Sequence, residues 1–152
     1  LEKSDSIFGA CDAGTMIAVS KYPYKQWEKK FSDLTRLDGP CLFKWGENVL
    51  ALGRRDLSNK GPLWCIGSLL NRKRTSLFLV KPDGLKLLMD LPSCGDTSYG
   101  GVAFRGDYIY FCYYSSPLDF DIPWIMGMLG ETNIYMVKIK KEMLSKIVEE
   151  CK

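Results

Sequence analysis

Carboxylates, an arginine, three tyrosines and a tryptophan stand near the ends of apolar runs between residues 38 and 124. Carboxylates and a guanidinium bind hydroxyl and carboxylate groups through charge-assisted hydrogen bonds, and aromatic rings pack on the apolar face of a sugar. This combination suits a polar, hydroxyl-rich ligand, and a carbohydrate fits it well. The candidate residues are Asp38, Arg54, Asp96, Tyr99, Tyr113, Tyr114 and Trp124.

Composition excludes several other kinds of chemistry. The 152 residues contain no histidine, which excludes Ser-His and Cys-His nucleophile pairs, imidazole metal ligands and histidine pH switches. The six cysteines form no C-x-x-C pair and several lie within apolar runs. That placement favours free thiols over a disulfide framework in a chain of this length. We predict no metal and no other cofactor.

Charge and hydropathy give no reason to expect a nucleic-acid or membrane partner. The net charge is only +3, and 46% hydrophobic with 26% charged residues is typical of a globular protein. The longest lipophilic stretch, Pro117 to Gly130, is too short to span a bilayer and contains two aspartates. We therefore predict neither partner, and the sequence leaves the cellular compartment open.

The elements that position the candidates are strands of an internal repeat. An alternating apolar run that opens on Thr and closes on Lys occurs at Thr15–Lys21, Thr75–Lys81 and Thr132–Lys138. The copies are 60 and then 57 residues apart. Self-similarity at this spacing indicates a repeat architecture, in which each supersecondary unit stacks on its neighbours.

The middle copy predicts four antiparallel strands. Pro40–Trp45 and Val49–Leu52 flank a tight turn, and Thr75–Lys81 and Leu85–Leu91 flank a Pro-Asp-Gly turn. A further short strand is expected at Trp64–Leu70. Four strands in about 55 residues are typical of a propeller blade.

The last copy repeats three of these strands, at Gly101–Phe104, Tyr108–Tyr114 and Asn133–Ile139. A helix over Lys141–Cys151 replaces the fourth strand, because its apolar residues fall at helical spacing. The apolar stripe consists of Met143, Leu144, Ile147, Val148 and Cys151.

The first copy predicts strands at Thr15–Lys21 and Gln26–Phe31, preceded by a remnant of earlier strands in Ser6–Asp12. We thus expect a single all-β domain, a partial β-propeller of about two and a half to three four-stranded antiparallel blades with a short C-terminal helix. Its parts are a blade remnant at 1–35, blades at 36–94 and 95–140, and the helix at 141–152. Closed propellers have about four to eight blades. Either further blades of a longer polypeptide or another copy of the chain completes the ring.

In an antiparallel meander, the start of the first strand and the end of the second meet at one rim. That rim collects Asp38 with Arg54 in one blade, and Asp96 and Tyr99 with Tyr114 in the next. Asp12 occupies the corresponding place in the first copy, and the segment containing Trp124 emerges over the same rim. The repeat therefore predicts that the candidate residues share one site.

Five segments of the chain follow a known pattern. They are Asp38-Gly-Pro40, Gly53-Arg54, Gly95-Asp-Thr-Ser-Tyr99, Tyr113-Tyr-Ser-Ser116 and Thr132-Asn-Ile-Tyr-Met-Val-Lys138. Together they resemble the C-terminal part of six-bladed, BNR-repeat propellers of the sialidase type, over roughly residues 35 to 140.

This resemblance implies a six-bladed fold and exo-glycosidase activity on sialic-acid-like sugars. Enzymes of this kind use a tyrosine nucleophile assisted by a glutamate, an arginine cluster that holds the substrate carboxylate, and an aspartate acid/base. Carried over to this chain, the resemblance implies Tyr114 or Tyr99 as the phenol, and Arg54 as the one arginine identified at the rim. The catalytic set is then Tyr114, Asp96 and Asp38, and the substrate-binding set is Arg54, Tyr99, Tyr113 and Trp124.

Each candidate also has a structural interpretation. Tyr113 and Tyr114 are equally consistent with core packing, and Asp96 and Asp38 with shaping turns. The segment around Trp124 is either a substrate lid or an assembly surface. The leading hypothesis is a carbohydrate-active or carbohydrate-binding propeller module, completed by further blades or another chain. The alternative is a non-catalytic scaffold that self-assembles through its unfinished blades.

Overall fold

The computed structural model describes residues 14–32, 36–58 and 68–151. These residues form three antiparallel sheets and two short helices, which confirms the all-β class. The elements are β1 Thr15–Val19, β2 Glu28–Ser32, β3 Leu37–Trp45, β4 Asn48–Asp56, β5 Lys73–Lys81, β6 Gly84–Asp90, β7 Thr97–Arg105, β8 Tyr108–Ser115, α1 Trp124–Met128, β9 Asn133–Lys140 and α2 Lys141–Glu150.

Each sheet is a meander in chain order. The sheets contain two strands (β1-β2), four strands (β3-β4-β5-β6) and three strands (β7-β8-β9). These are the strand numbers predicted for the three copies. The extra strand expected at Trp64–Leu70 is not seen where the chain is described, because residues 68–70 form a turn. Residues 64–67 and the predicted remnant at Ser6–Asp12, with the rim candidate Asp12, lie outside the described residues.

Corresponding hairpins of the two larger sheets close in the same way. Two-residue turns join β3 to β4 and β7 to β8, and each begins with a glycine at positive φ, Gly46 (57°) and Gly106 (53°). A glycine in this conformation matches the twist of a tight hairpin without a Cβ clash. The two turns are 60 residues apart, so the repeat seen in the sequence is also a repeat of backbone geometry.

The main core lies between the four-stranded and three-stranded sheets. Leu50, Leu52 and Leu77 from β4 and β5 are fully buried together with Ile109 and Phe111 from β8. Residues two apart in a strand point to the same face, which explains this pattern. β7 contacts β3, β4 and β5 directly. The sheets are therefore stacked face to face.

The C-terminal helix is confirmed as α2, which packs against β9. Leu144 and Val148, one turn apart, are fully buried in the core. The predicted stripe is wrong at Met143, which is exposed, because the helix turns only a narrow face toward the core. Of the six cysteines, Cys41, Cys94, Cys112 and Cys151 lie in the described part of the chain, and there they form no disulfide.

Candidate functional site

Two β-bulges shape the edge of the sheets at which the candidate residues lie. β3 shifts register between Asp38 and Cys41, and β7 does so between Ser98 and Gly101. The residue after each shift begins has positive φ, 55° at Gly39 and 49° at Tyr99. A bulge re-aims the side chains around it, and a tyrosine held at positive φ is strained. The two bulges occupy the same place in successive repeats.

Arg54 is the centre of the candidate site. Strand pairing places it opposite Asp38, and its Nη2 lies 3.0 Å from Asp38 Oδ2. Its Nη1 lies 3.3 Å from Oδ1 of Asp96, which precedes β7. The Arg54 side chain is only 12% exposed. The guanidinium thus joins the four-stranded sheet to the segment that leads into the three-stranded sheet.

Asp96 receives donors from three further places. Its Oδ1 accepts hydrogen bonds from Tyr114 Oη at 3.2 Å and Trp124 Nε1 at 2.8 Å, in addition to Arg54. Its backbone N–H donates to Ser116 Oγ at 3.1 Å. The other carboxylate oxygen, Oδ2, accepts no hydrogen bond from the described residues. Asp96 is therefore fixed in position while one of its oxygens retains acceptor capacity.

Trp124 is held inside this arrangement. Arg54 Cζ and Lys73 Nζ lie 4.8 and 4.9 Å from the centre of its indole ring, within cation–π range. Its backbone N–H donates to Asn71 O at 3.0 Å. The start of α1 is thereby tied to the chain before β5. Of the two interpretations left open for this segment, the contacts favour a part of the site.

A buried ion pair lies beneath the tryptophan. Lys73 Nζ, at the start of β5, pairs with Asp56 Oδ1, at the end of β4, and both residues are almost fully buried. Burial lowers the pKa of Lys73, although the hydrogen bond and charge of Asp56 act in the opposite direction. Arg54 Nε and Asp56 Oδ2 are buried without a hydrogen-bond partner among the described residues. Sequence analysis missed this pair, although the strand register makes the two residues direct neighbours.

Sequence analysis also missed a second arginine. Arg36 Nε donates to Asp38 Oδ1 at 2.7 Å, so Asp38 lies between two guanidinium groups. Burial raises the pKa of Asp38, but the hydrogen bonds and charges of Arg36 and Arg54 outweigh it, and the pKa falls below its usual value. Asp38 is therefore ionised at neutral pH.

Tyr99 presents an aromatic surface beside these charges. Its side chain is 76% exposed, and its ring centre is 6.1 Å from that of Tyr114, with a tilt of 30°. A Cβ on Gly39 would lie 3.3 Å from the Tyr99 ring and 2.8 Å from Ser98 Oγ. The absence of a side chain at Gly39 lets the ring settle against the first bulge, with its other surface open.

Adjacent tyrosines of β8 point in opposite directions. Tyr114 faces Asp96, whereas Tyr113 is buried in the core, where its hydroxyl donates to Pro92 O at 2.7 Å and its ring stacks on Tyr135. Burial first, then the nearby Asp96 charge, raises the pKa of Tyr114 to about 12. Six of the seven predicted residues thus come together, and Tyr113 does not join them. We call these six the Arg54 cluster: Asp38, Arg54, Asp96, Tyr99, Tyr114 and Trp124.

The cluster combines fixed carboxylate acceptors, a guanidinium and an open aromatic ring. No group of three potential metal-ligating side chains occurs within the ranges that the structure describes, and no helix there is long and apolar enough to cross a membrane. Comparisons with family models, curated proteins and solved structures give no match to this chain. The sialidase-like resemblance therefore remains an expectation based on the quoted segments.

Proposed function

We propose that this chain is a carbohydrate-binding module of the sialidase-like propeller type, and that the Arg54 cluster binds a hydroxyl-rich sugar. The observation that carries the proposal is the exposed ring of Tyr99 beside two carboxylates that a single arginine holds in place. Rings of this kind pack on the apolar face of a sugar, while carboxylates accept its hydroxyl protons. The stacked meanders of four and three strands are consistent with propeller blades.

The polar groups are set for recognition because their positions are fixed before a ligand arrives. Asp38 is held by two arginines, and Asp96 by Arg54, Tyr114 and Trp124. Preorganised acceptors lose little conformational entropy on binding. In our proposal the sugar ring lies on Tyr99 and its hydroxyls donate to these two carboxylates.

The geometry supports binding better than hydrolysis. A general acid or base works best when its pKa lies near the operating pH. The pKa of Asp38 is lowered and that of Tyr114 is raised to about 12, so both shifts lead away from neutrality. In a hydrolytic step the Tyr114 proton would pass to Asp96 as the phenol oxygen attacks the anomeric carbon. A turnover assay on aryl glycosides tests that step separately from binding.

The binding proposal is tested by a screen of immobilised glycans followed by calorimetric titration of the sugars retained. We expect Tyr99→Ala to weaken binding at least about fivefold, since an aromatic contact contributes about 1 kcal/mol. Tyr22→Ala is the matched control, because Tyr22 is equally exposed but lies in the β1–β2 connection. The proposal fails if no glycan binds, or if Tyr99→Ala binds as tightly as the control.

One observation favours the second candidate, a self-assembling scaffold. Leu77 and Leu79 of β5 are 0% and 2% exposed beneath the three-stranded sheet, whereas their counterparts 57 residues later, Ile134 and Met136 of β9, are 81% and 67% exposed. The face of the three-stranded sheet that carries Ile134 thus repeats the apolar pattern of a covered face. We propose that a sheet from a second copy of this chain covers it.

Light scattering during size-exclusion chromatography tests this assembly. We expect a mass above the 17.3 kDa of one chain, and a return to that mass in an Ile134→Lys/Met136→Lys variant. Leu129→Lys serves as the control, because Leu129 is equally exposed but follows α1. A wild-type protein that elutes as a stable monomer would exclude assembly through this face.

A further inference from the structure

We infer that the Arg54 cluster selects neutral sugars over acidic ones. This inference rests on the proposed function and narrows its ligand class. It departs from what the sialidase-like resemblance implies, which is an arginine that holds a substrate carboxylate. The reason is that the carboxylates of this chain already occupy the cations of the site.

The cations of the cluster are matched by internal carboxylates. Both terminal nitrogens of Arg54 are engaged, one by Asp38 and one by Asp96. Arg36 pairs with Asp38 and Lys73 with Asp56. A charged group that enters this site therefore meets ion pairs and not an open positive charge.

The surrounding arginines are matched as well. Arg55 forms two hydrogen bonds to Asp90, at 2.8 and 2.7 Å. Arg72 and Arg74 pair with Asp121 at 3.6 and 2.8 Å. Each of the five described arginines between residues 36 and 74 thus has a carboxylate partner. This edge of the sheets is close to neutral despite its many charges.

A ligand carboxylate would have to displace Asp38 or Asp96 from Arg54. The displaced aspartate would remain close to the incoming negative charge, in a place where both side chains are largely shielded from water. Like charges at short distance in such surroundings repel strongly. A neutral hydroxyl instead donates to a carboxylate without disturbing an ion pair, which is the more favourable exchange.

The experiment compares matched neutral and acidic sugars by calorimetric titration of the intact chain. The probes are methyl glycosides of glucose, galactose and mannose, their uronic acid counterparts, and sialic acid. We expect the tightest ligand to be neutral, and its acidic counterpart to bind at least about tenfold more weakly. Equal or tighter binding of the acidic form overturns the inference and leaves the proposed function standing. Binding of no probe overturns both.

A charge variant separates this mechanism from simple steric preference. Asp96→Asn removes one carboxylate and releases one nitrogen of Arg54, so the ratio of neutral to acidic affinity should fall about tenfold. Asp90→Asn is the control, since it releases Arg55, whose side chain lies on the opposite face of β4. A ratio unchanged in Asp96→Asn, or changed equally in both variants, contradicts the inference.

Discussion

Arg54→Met tests whether the site and the fold depend on the same guanidinium. The substitution removes hydrogen bonds to Asp38 and Asp96, and hydrogen bonds to charged groups contribute about 1.5–3 kcal/mol each. It also removes the buried, unpartnered Nε, whose burial costs about 1–3 kcal/mol. Methionine retains the apolar contact with Trp124. The difference predicts a loss of about 2–3 kcal/mol in the free energy of unfolding.

Urea denaturation measures this loss, with unchanged slope as the sign that the same surface unfolds. Arg55→Met is the matched control in the adjacent position of β4. Its pair with Asp90 is more exposed, so we expect about 1 kcal/mol or less. If Arg54→Met costs no more than Arg55→Met, then Arg54 does not connect the two sheets energetically and the reasoning is refuted.

Three further predictions concern the same site. Gly127→Ala should displace Asp96 and destabilise the fold by about 1–3 kcal/mol, because its Cβ would lie 2.1 Å from Asp96 N. Gly130→Ala, with 3.5 Å to its nearest atom, should be close to neutral in the same urea titration. The lowered pKa of Asp38 means that its stabilisation is complete above its usual pKa of 3.8 and is lost as pH falls through the lower value. Asp38→Asn should therefore flatten the acid limb of a stability–pH curve, and an unchanged limb would contradict this. Tyr114 should ionise at pH about 12, so Tyr114→Phe should remove a late step from a tyrosinate absorbance titration.

The hairpins were predictable because local patterns determine them. Alternating apolar residues define β4 and β5, and the glycine of each two-residue turn fixes where β3 and β7 reverse. The repeat then placed Asp38 opposite Arg54 without any knowledge of packing, since equal strand lengths fix the register. These inferences required only neighbours along one sheet.

What could not be predicted depends on contacts between sheets or on the direction of a side chain. Tyr113 and Tyr114 are indistinguishable in the sequence, and only the stacking of the sheets decides which one enters the core. Asp56 and Lys73 form a buried pair because β4 and β5 end and begin beside each other, across residues with no charge pattern to mark them. Arg36 precedes β3 and has no counterpart in the repeat.

The repeat explains how a site can arise on this scaffold. Arg54 and Tyr114 occupy the same position in successive sheets, 60 residues apart, as do Asp38 and Ser98 at the two bulges. The three-stranded sheet covers the face of β4 that carries Arg54 and thereby brings Asp96 to it. The equivalent face of β8 carries Tyr114 and continues across β9 to the exposed Ile134. A further sheet on that face would approach Tyr114 as β7 approaches Arg54. The assembly that we propose would thus enlarge the Arg54 cluster, and Ile134→Lys should weaken sugar binding only in the assembled form.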